Sequence, residues 1–292
     1  MRGHRSWRVG VWGGALALLL SLWGVRTART VDNYADPAGP LFRGEYAEPA
    51  RPFHGELRIA TWNIRYGEAV ETAVAEIRQN PHLRDADVLL LQEMDETGVA
   101  AIAQRLAYNY VYFPASVHAH HGRNFGNAIL ARWPITRPEK LLLPYANPSN
   151  AQRRIAVKAT ILVDGAPLVV VSTHTETYWL GRRERIAQAA AVATAVAPGE
   201  GPVIVGGDFN SVTAGDVALL EGVFTAVGLE RVSAAAGPTV EVAGMGVSAD
   251  HIFARGLPVL AAGAAAETAA SDHLPVWATL AWSGPQSGDG QP

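Results

Sequence analysis

The sequence predicts a mixed β-sheet sandwich of the α/β or α+β class, on three observations. Short apolar runs such as Val88-Leu89-Leu90-Leu91 and Val203-Ile204-Val205 have the composition of strands covered on both faces. Helical apolar periods are interleaved with them, as over Ala69 to Gln79 and Arg182 to Val196. A hairpin signal, Asp164-Gly165, lies between two more strand-like runs. Hairpins together with crossovers point to mixed sheets rather than purely parallel ones.

In chain order, Leu57 to Trp62 alternates into a strand, and Asn80-Pro81 stops the helix that begins at Ala69. Strand Val88 to Leu91 precedes a helical period over Val99 to Tyr108. Strands are expected at Asn127 to Ala131, Ile155 to Val163 and Leu168 to Ser172, then an Ala-rich helix at Arg182 to Val196. Val203 to Val205, Asp250 to Ala254 and Val276 to Trp282 complete the strands. No period of solenoid type recurs.

A chain of 292 residues suits one large domain or two small ones. With 49% hydrophobic and 17% charged residues it can bury a sizeable core. A net charge of -3 offers no global basic signal for nucleic acid. Cysteine is absent, so disulfides, thiolate metal sites, cysteine nucleophiles and lipid-modified cysteine anchors are excluded. Any metal must use oxygen or imidazole ligands.

Arg2, His4, Arg5 and Arg8 precede an apolar stretch from about Val9 to Val25, followed by Arg26 and Arg29. A cationic flank before an apolar core reads as an export signal or an N-terminal membrane anchor, here over residues 1–26. The stretch is at the short end of what spans a bilayer. The rest of the chain is therefore expected outside the cytoplasm: periplasmic, secreted or membrane-anchored. Residues 27–55, rich in Pro, Gly, Ala and charge, read as a linker or loosely packed arm. Residues 56–282 form the expected catalytic domain. Residues 283–292, rich in Gly, Ser, Gln and Pro, read as a disordered tail.

Five polar clusters sit where apolar strands begin or end. They are Thr61-Trp62-Asn63, Gln92-Glu93, Thr173-His174, Gly207-Asp208-Phe209-Asn210 and Ser271-Asp272-His273. Each has an ordinary explanation alone: a helix cap, a turn, a core histidine. A buried carboxylate or amide is costly unless paired or metal-bound, so five together need a common cause. Polar groups at strand ends can converge on one rim of a sheet, where ligands usually bind.

Read in order, the motifs are Thr-Trp-Asn-Ile around Asn63, Leu-Gln-Glu ending at Glu93, Gly-Asn-Ala-Ile-Leu around Asn127 and Ser-Thr-His at His174. Gly-Gly-Asp-Phe-Asn with Asp208 and Asn210, Asp-His-Ile-Phe at Asp250 and Ser-Asp-His-Leu-Pro-Val at His273 follow. On these residues, over about Glu56 to Trp282, the chain resembles the endonuclease/exonuclease/phosphatase family. The family includes deoxyribonuclease-like enzymes, inositol polyphosphate 5-phosphatases and neutral sphingomyelinases. The resemblance implies a four-layer fold of two face-to-face mixed sheets with helices outside. It implies a metal-dependent hydrolase of phosphate esters, most readily a phosphodiesterase.

It also implies roles. Glu93 is the expected principal Mg²⁺ ligand, with Asn63 and Asp272 near the metal and Mn²⁺ as a substitute. His273 is the expected general base, oriented by Asp250. Asp208 and Asn210 are expected to orient water and phosphate, and His174 to act on the leaving side. Arg154 and Asn127 are expected near the substrate phosphate, Arg because it binds phosphate bidentately. His251 should face the other side of its strand from Asp250. His118, His120 and His121 read as a solvated loop, and Arg153 as a solvated charge.

Two departures argue against efficient DNA cleavage. Arg65 stands where several nucleases carry an acidic ligand, which disfavours a two-metal site. Asp95 and Glu96 follow Glu93 where a basic residue is common, and should repel a polyanion. Three substrate classes stay open: phospholipid head groups, inositol-type phosphates and nucleic acid. A monomer is expected, with the N-terminus as the means of membrane association. The alternatives are an extracytoplasmic nuclease and a non-catalytic member binding an anionic ligand or lipid. The discriminator is whether Glu93, Asp208, Asp250 and His273 converge on one pocket. A serine hydrolase is set aside because Gly-x-Ser-x-Gly is absent.

Overall fold

A computed structural model describes residues 31–48, 53–119, 121–197, 199 and 201–282. The apolar N-terminal stretch, His120 and the tail from Ser283 lie outside the described residues. Among the described residues no helix is long and apolar enough to cross a membrane.

In chain order the strands are β1 (Phe42–Gly44), β2 (Glu56–Asn63), β3 (Val88–Met94), β4 (Asn109–Val117), β5 (Asn124–Ala131), β6 (Ile135–Ala146), β7 (Arg153–Val163) and β8 (Ala166–His174). They continue with β9 (Val203–Asp208), β10 (Glu230–Arg231), β11 (Val240–Val242), β12 (Met245–Val247), β13 (Asp250–Arg255), β14 (Val259–Ala264) and β15 (Val276–Ala281). The helices are α1 (Val70–Gln79), α2 (Glu96–Leu106), α3 (Arg182–Val196) and α4 (Ala214–Thr225). One sheet runs β1-β4-β5-β3-β2-β15-β14 and the other β10-β13-β9-β8-β7-β6. Both are mixed, because β2 pairs parallel with β3 and β8 parallel with β9 among antiparallel neighbours.

Three apolar clusters make four layers. Leu57, Ile59, Val88, Leu90, Ile155 and Ile204 lie between the sheets. Leu89 and Leu91 face the other way, with Val74 and Ile77 of α1 and Ile102 of α2. Val203, Val205 and Phe253 pack on Val192 of α3 and Phe224 of α4. The alternation within Val88 to Leu91 explains why that run is apolar throughout: both faces of β3 are covered.

The arm expected as a linker is, in its described part, docked. Strand β1 pairs with β4, Asn33 bridges Ser116, and Lys140 Nζ donates to the carbonyls of Tyr34 and Gly39. An unpaired sheet edge offers free backbone groups, and the arm uses them. Helix α2 starts earlier than its apolar period because the Asp95 carboxylate caps it, accepting from Gly98 N at 2.7 Å. Strand β6, with Pro138 and Pro144, escaped the pattern because it is an edge strand where proline is tolerated. Helix α4 was also missed, although Thr213 and Asp216 form a capping box.

Gly206-Gly207 belongs to the sheet rather than to a turn, since β9 runs on to Asp208. A Cβ on Gly207 would lie 1.9 Å from the Thr173 carbonyl oxygen. Gly207→Ala is therefore expected to force β8 and β9 apart where they carry His174 and Asp208. The thermal midpoint should fall by the equivalent of about 1–3 kcal/mol. Gly222→Ala, whose Cβ meets nothing within 4 Å in α4, should instead raise it slightly. Equal shifts in the two melts would refute the close approach.

Candidate active site

Strand ends of both sheets meet at one rim. Asn63 ends β2, Glu93 lies near the end of β3, His174 ends β8, Asp208 ends β9 and Asp250 opens β13. Glu93 adopts φ 59° at a bulge in the β3–β5 pairing between Leu91 and Met94. Left-handed backbone is costly for a branchless acidic residue and turns its side chain out of the strand's alternation. Arg65 (φ 22°), Tyr66 (φ 56°) and Asn210 (φ 49°) share this unusual region around the same rim.

Asn63 joins the carboxylates. Its Nδ2 donates to Glu93 Oε1 at 3.2 Å and to Asp208 Oδ2 at 3.0 Å. The second Glu93 oxygen accepts from Tyr66 N at 3.2 Å. Asp208 Oδ1 accepts from Asn210 N at 2.8 Å, and Asn210 Nδ2 donates to the Thr175 carbonyl. Asp208 Oδ2 lies 3.3 Å from His174 Nε2 and 3.8 Å from His273 Nε2.

His273 is held on three sides. Its Nδ1 lies 2.8 Å from Asp250 Oδ2, its backbone N donates to Ser271 Oγ, and its carbonyl accepts from the Trp62 indole. Thr239 Oγ donates to the same Asp250 oxygen at 2.6 Å. When His273 is neutral and Nδ1–H is donated to Asp250, Nε2 carries the lone pair and faces Asp208. Asp272 is exposed, 3.4 Å from Ser271 Oγ, and its charge reaches Glu93. His251 points away from the rim, its Nε2 2.8 Å from Ser211 Oγ, as expected from strand alternation.

Arg154 is buried and ion-paired, with Nε and Nη2 each 3.2 Å from a Glu176 oxygen. Its Nη1 sits 3.1 and 3.2 Å from the two nitrogens of His174. Asn127 stands apart. It is buried on β5, and its Nδ2 donates to the Ile155 carbonyl across the seam between the sheets.

Burial pushes the Glu93 carboxyl up, and Arg154 works against it. Burial likewise raises Asp208 to about 7, with Asp250 adding to the rise. Burial and Arg154 hold His174 well below the usual histidine range, so it is neutral. Burial would lower His273 too, but the charges of Asp250 and Asp208 outweigh it and raise it to about 10. The folded chain thus binds the His273 proton more tightly than the unfolded chain, where histidine titrates near 6.5. The resulting stabilisation is fully present below pH 6.5 and is lost as pH rises toward about 10. In chelator, the thermal midpoint should decline across that window, on the order of a few kcal/mol in all. His273→Gln should flatten that part of the profile; an unchanged slope would mean that the Asp250 pair does not govern it.

The residues expected to hold a metal and the expected base lie in neighbouring groups. Asp208, Asp250 and His273 offer atoms within 4.8 Å of one another, a grouping able to hold a cation. Yet Asp250 Oδ2 already takes two hydrogen bonds, while Asp250 Oδ1 is buried without a hydrogen-bond partner. Half-buried Glu93 and buried Asn63 offer hard oxygens, the donor type that Mg²⁺ and Mn²⁺ favour.

Sequence reasoning missed several contributors. Glu176 follows His174 by two residues, and a buried Arg154 demands an acid. Trp62, Ser271 and Tyr66 flank residues already singled out. Thr239, in a weakly patterned loop, carried no signal. The repulsion expected from Asp95 and Glu96 is corrected: Asp95 is buried and paired with Arg123 at 2.6 Å, and Glu96 accepts from Asn124. Of the histidine loop, His118 is half-buried and His121 exposed, and the Tyr66 ring lies 4.5 Å from the first and 4.7 Å from the second.

A profile of the Endonuclease/Exonuclease/phosphatase family matches residues 60–273. A UPF0294 protein of Vibrio cholerae serotype O1 is 37% identical over 226 residues, 76% of each chain. Among solved structures, an endonuclease/exonuclease/phosphatase family protein from Bacteroides thetaiotaomicron aligns with TM-score 0.62 and 19% identity, covering 78% of this chain and 98% of that one. A mannosyl-6-phosphatase from the same species aligns with TM-score 0.60 and 18% identity over 77% and 100%. At these identities the solved structures speak to the fold alone.

Proposed function

Since the chain belongs to the endonuclease/exonuclease/phosphatase family, whose members hydrolyse phosphate esters, we propose that it is a Mg²⁺-dependent phosphodiesterase acting outside the cytoplasm. The observation that carries this reading is the His273–Asp250 pair at 2.8 Å, with His273 Nε2 turned toward the Asp208–Asn63–Glu93 cluster. Such convergence is what a non-catalytic binding member would not need.

Once deprotonated, His273 takes a proton from the attacking water at Nε2, and Asp250 fixes the tautomer and favours the imidazolium that forms. Asp208 and Asn210 orient that water. Arg154, pre-positioned by Glu176, faces negative charge on the phosphate with its remaining donors. His174, kept neutral, donates a hydrogen bond on the leaving side. Mg²⁺, held by Glu93 and Asn63 with Asp272 nearby, would supply charge neutralisation at the phosphoryl oxygens. Asn127, whose Nδ2 is taken by the Ile155 carbonyl, keeps its amide oxygen for the phosphate side of the site. The extracytoplasmic setting rests on the Arg-flanked apolar run before Arg26.

With the Asp95 charge paired, nucleic acid stays among the substrate classes alongside phospholipid head groups and inositol-type phosphates. The test is hydrolysis of bis(p-nitrophenyl) phosphate by the purified chain. Turnover should require Mg²⁺ or Mn²⁺ and vanish in chelator, and Glu93→Gln should weaken metal binding in calorimetry. Full activity in chelator would overturn the metal dependence. Metal binding lost in Asp250→Asn but kept in Glu93→Gln would move the ion to the other subsite.

A further inference from the structure

Three exposed aromatic residues share one corner beside the site. Tyr145 is 52% exposed, Tyr178 65% and Trp179 60%. The Tyr178 and Trp179 rings stack at 5.6 Å. They follow His174 and Glu176 by no more than five residues, and Tyr145 lies at the end of β6, beside the Ala146–Arg153 pair that precedes Arg154. Gln188 binds the two segments together: its Nε2 donates to the Pro144 carbonyl and its Oε1 accepts from Glu176 N. Arg153 and Arg183, both exposed, flank this corner.

The arm from the N-terminus docks at the same corner. Val31 N donates to the Asn150 carbonyl at 3.0 Å, and Arg153 N donates to Asn33 Oδ1 at 2.8 Å. Asn150 lies in the turn between Asn147 and Gln152, which are themselves hydrogen-bonded, so it is adjacent to Tyr145. Only five residues, 26–30, separate Val31 from the end of the apolar run. Fully extended they reach roughly 17 Å. A membrane-held apolar run would therefore keep this corner close to the bilayer surface.

We propose that the Tyr145–Tyr178–Trp179 corner is a membrane-docking surface that lies on an anionic phospholipid bilayer and opens the site toward lipid head groups. Tyr and Trp have an apolar body and a polar tip, which suits the head-group level of a bilayer. Exposed arginines beside them attract anionic lipid. Aromatic rings with arginine could also stack on single-stranded nucleic acid. The short connection to the apolar run favours the bilayer. The lipid substrate rests on the hydrolytic reading above, whereas docking itself does not.

The cysteine-free chain makes a direct test practicable. Full-length protein carrying Tyr178→Cys, labelled with an environment-sensitive fluorophore, is reconstituted into phosphatidylcholine–phosphatidylglycerol vesicles with nitroxide lipid, in chelator. Arg183→Cys is a second probe should the first disturb folding. Leu260→Cys is the reference, an exposed apolar position on β14 next to Val259, which pairs with Leu280 at the end of β15 away from His273. Strong quenching and a blue shift at 178 or 183, greater with phosphatidylglycerol, and neither at 260, is the expected result. Equal responses at the two ends would overturn the proposal. So would a probe at 178 that ignores the vesicle but shifts with a single-stranded oligonucleotide, which would make the corner a base-stacking surface. Turnover is excluded by the chelator, so failure here and failure of the hydrolytic reading are separately visible.

Discussion

His273→Ala lowers phosphodiester turnover by about two to four powers of ten, the range for loss of a general base. The effect should fall on kcat more than on KM, because Nε2 meets the substrate's water only in the reacting geometry. Asp250→Asn should cost a comparable factor without breaking the fold. An amide at that position presents a donor or a weak acceptor to Nδ1 and no longer selects the tautomer with a free Nε2. The double variant should lose little more than either single one, because the two residues act as one unit. Steady-state kinetics on the four proteins would decide this. Losses that multiply would separate the residues and contradict the pairing seen at 2.8 Å.

Arg154→Met should be the most destabilising change at the site. Glu176 is 1% exposed; Arg154 bonds both its oxygens and is its cationic partner, while Thr177 N and Oγ1 donate to Oε1. Burial pushes the Glu176 carboxyl up, and Arg154, with hydrogen bonds from Thr177 and Asn147, outweighs that and keeps it ionised. Removing one partner of a buried pair leaves an uncompensated charge, at a cost of about 3–5 kcal/mol. At about 2–4 °C per kcal/mol for a domain of this size, the thermal midpoint should fall by roughly 6–20 °C. Arg154→Met with Glu176→Leu should recover most of the stability while leaving activity low, because the phosphate has then lost its cation. Differential scanning calorimetry and turnover, measured together, separate the two roles. A double variant as unstable as the single one would show that packing, not charge, sets the effect.

The layers were legible because each sheet is covered on both faces. Val88-Leu89-Leu90-Leu91 sends alternate residues to two different cores, and only a doubly covered strand does that. The candidate site was legible because five polar clusters fall at the ends of such strands, and together they need one common cause. Edge elements were harder to read. Strand β6 mixes prolines and charges because one side has no strand partner, and β1 hides in a Pro- and Gly-rich arm. Charge partnerships were the least legible. Asp95 looked like a repulsive charge beside Glu93, yet it caps α2 and pairs with Arg123, twenty-eight residues on in sequence. Glu176 and Thr239 are visible only once the six-stranded sheet brings β7, β8 and β13 side by side.

One measurement bears most directly on the account, in which His273 directs water at phosphorus. A phosphodiester is hydrolysed by the wild-type chain in ¹⁸O-water with Mg²⁺, and both products are examined by mass spectrometry. The account predicts one ¹⁸O atom in the phosphate product and none in the alcohol. Label in the alcohol, or no Mg²⁺-dependent hydrolysis of any phosphodiester, would contradict it.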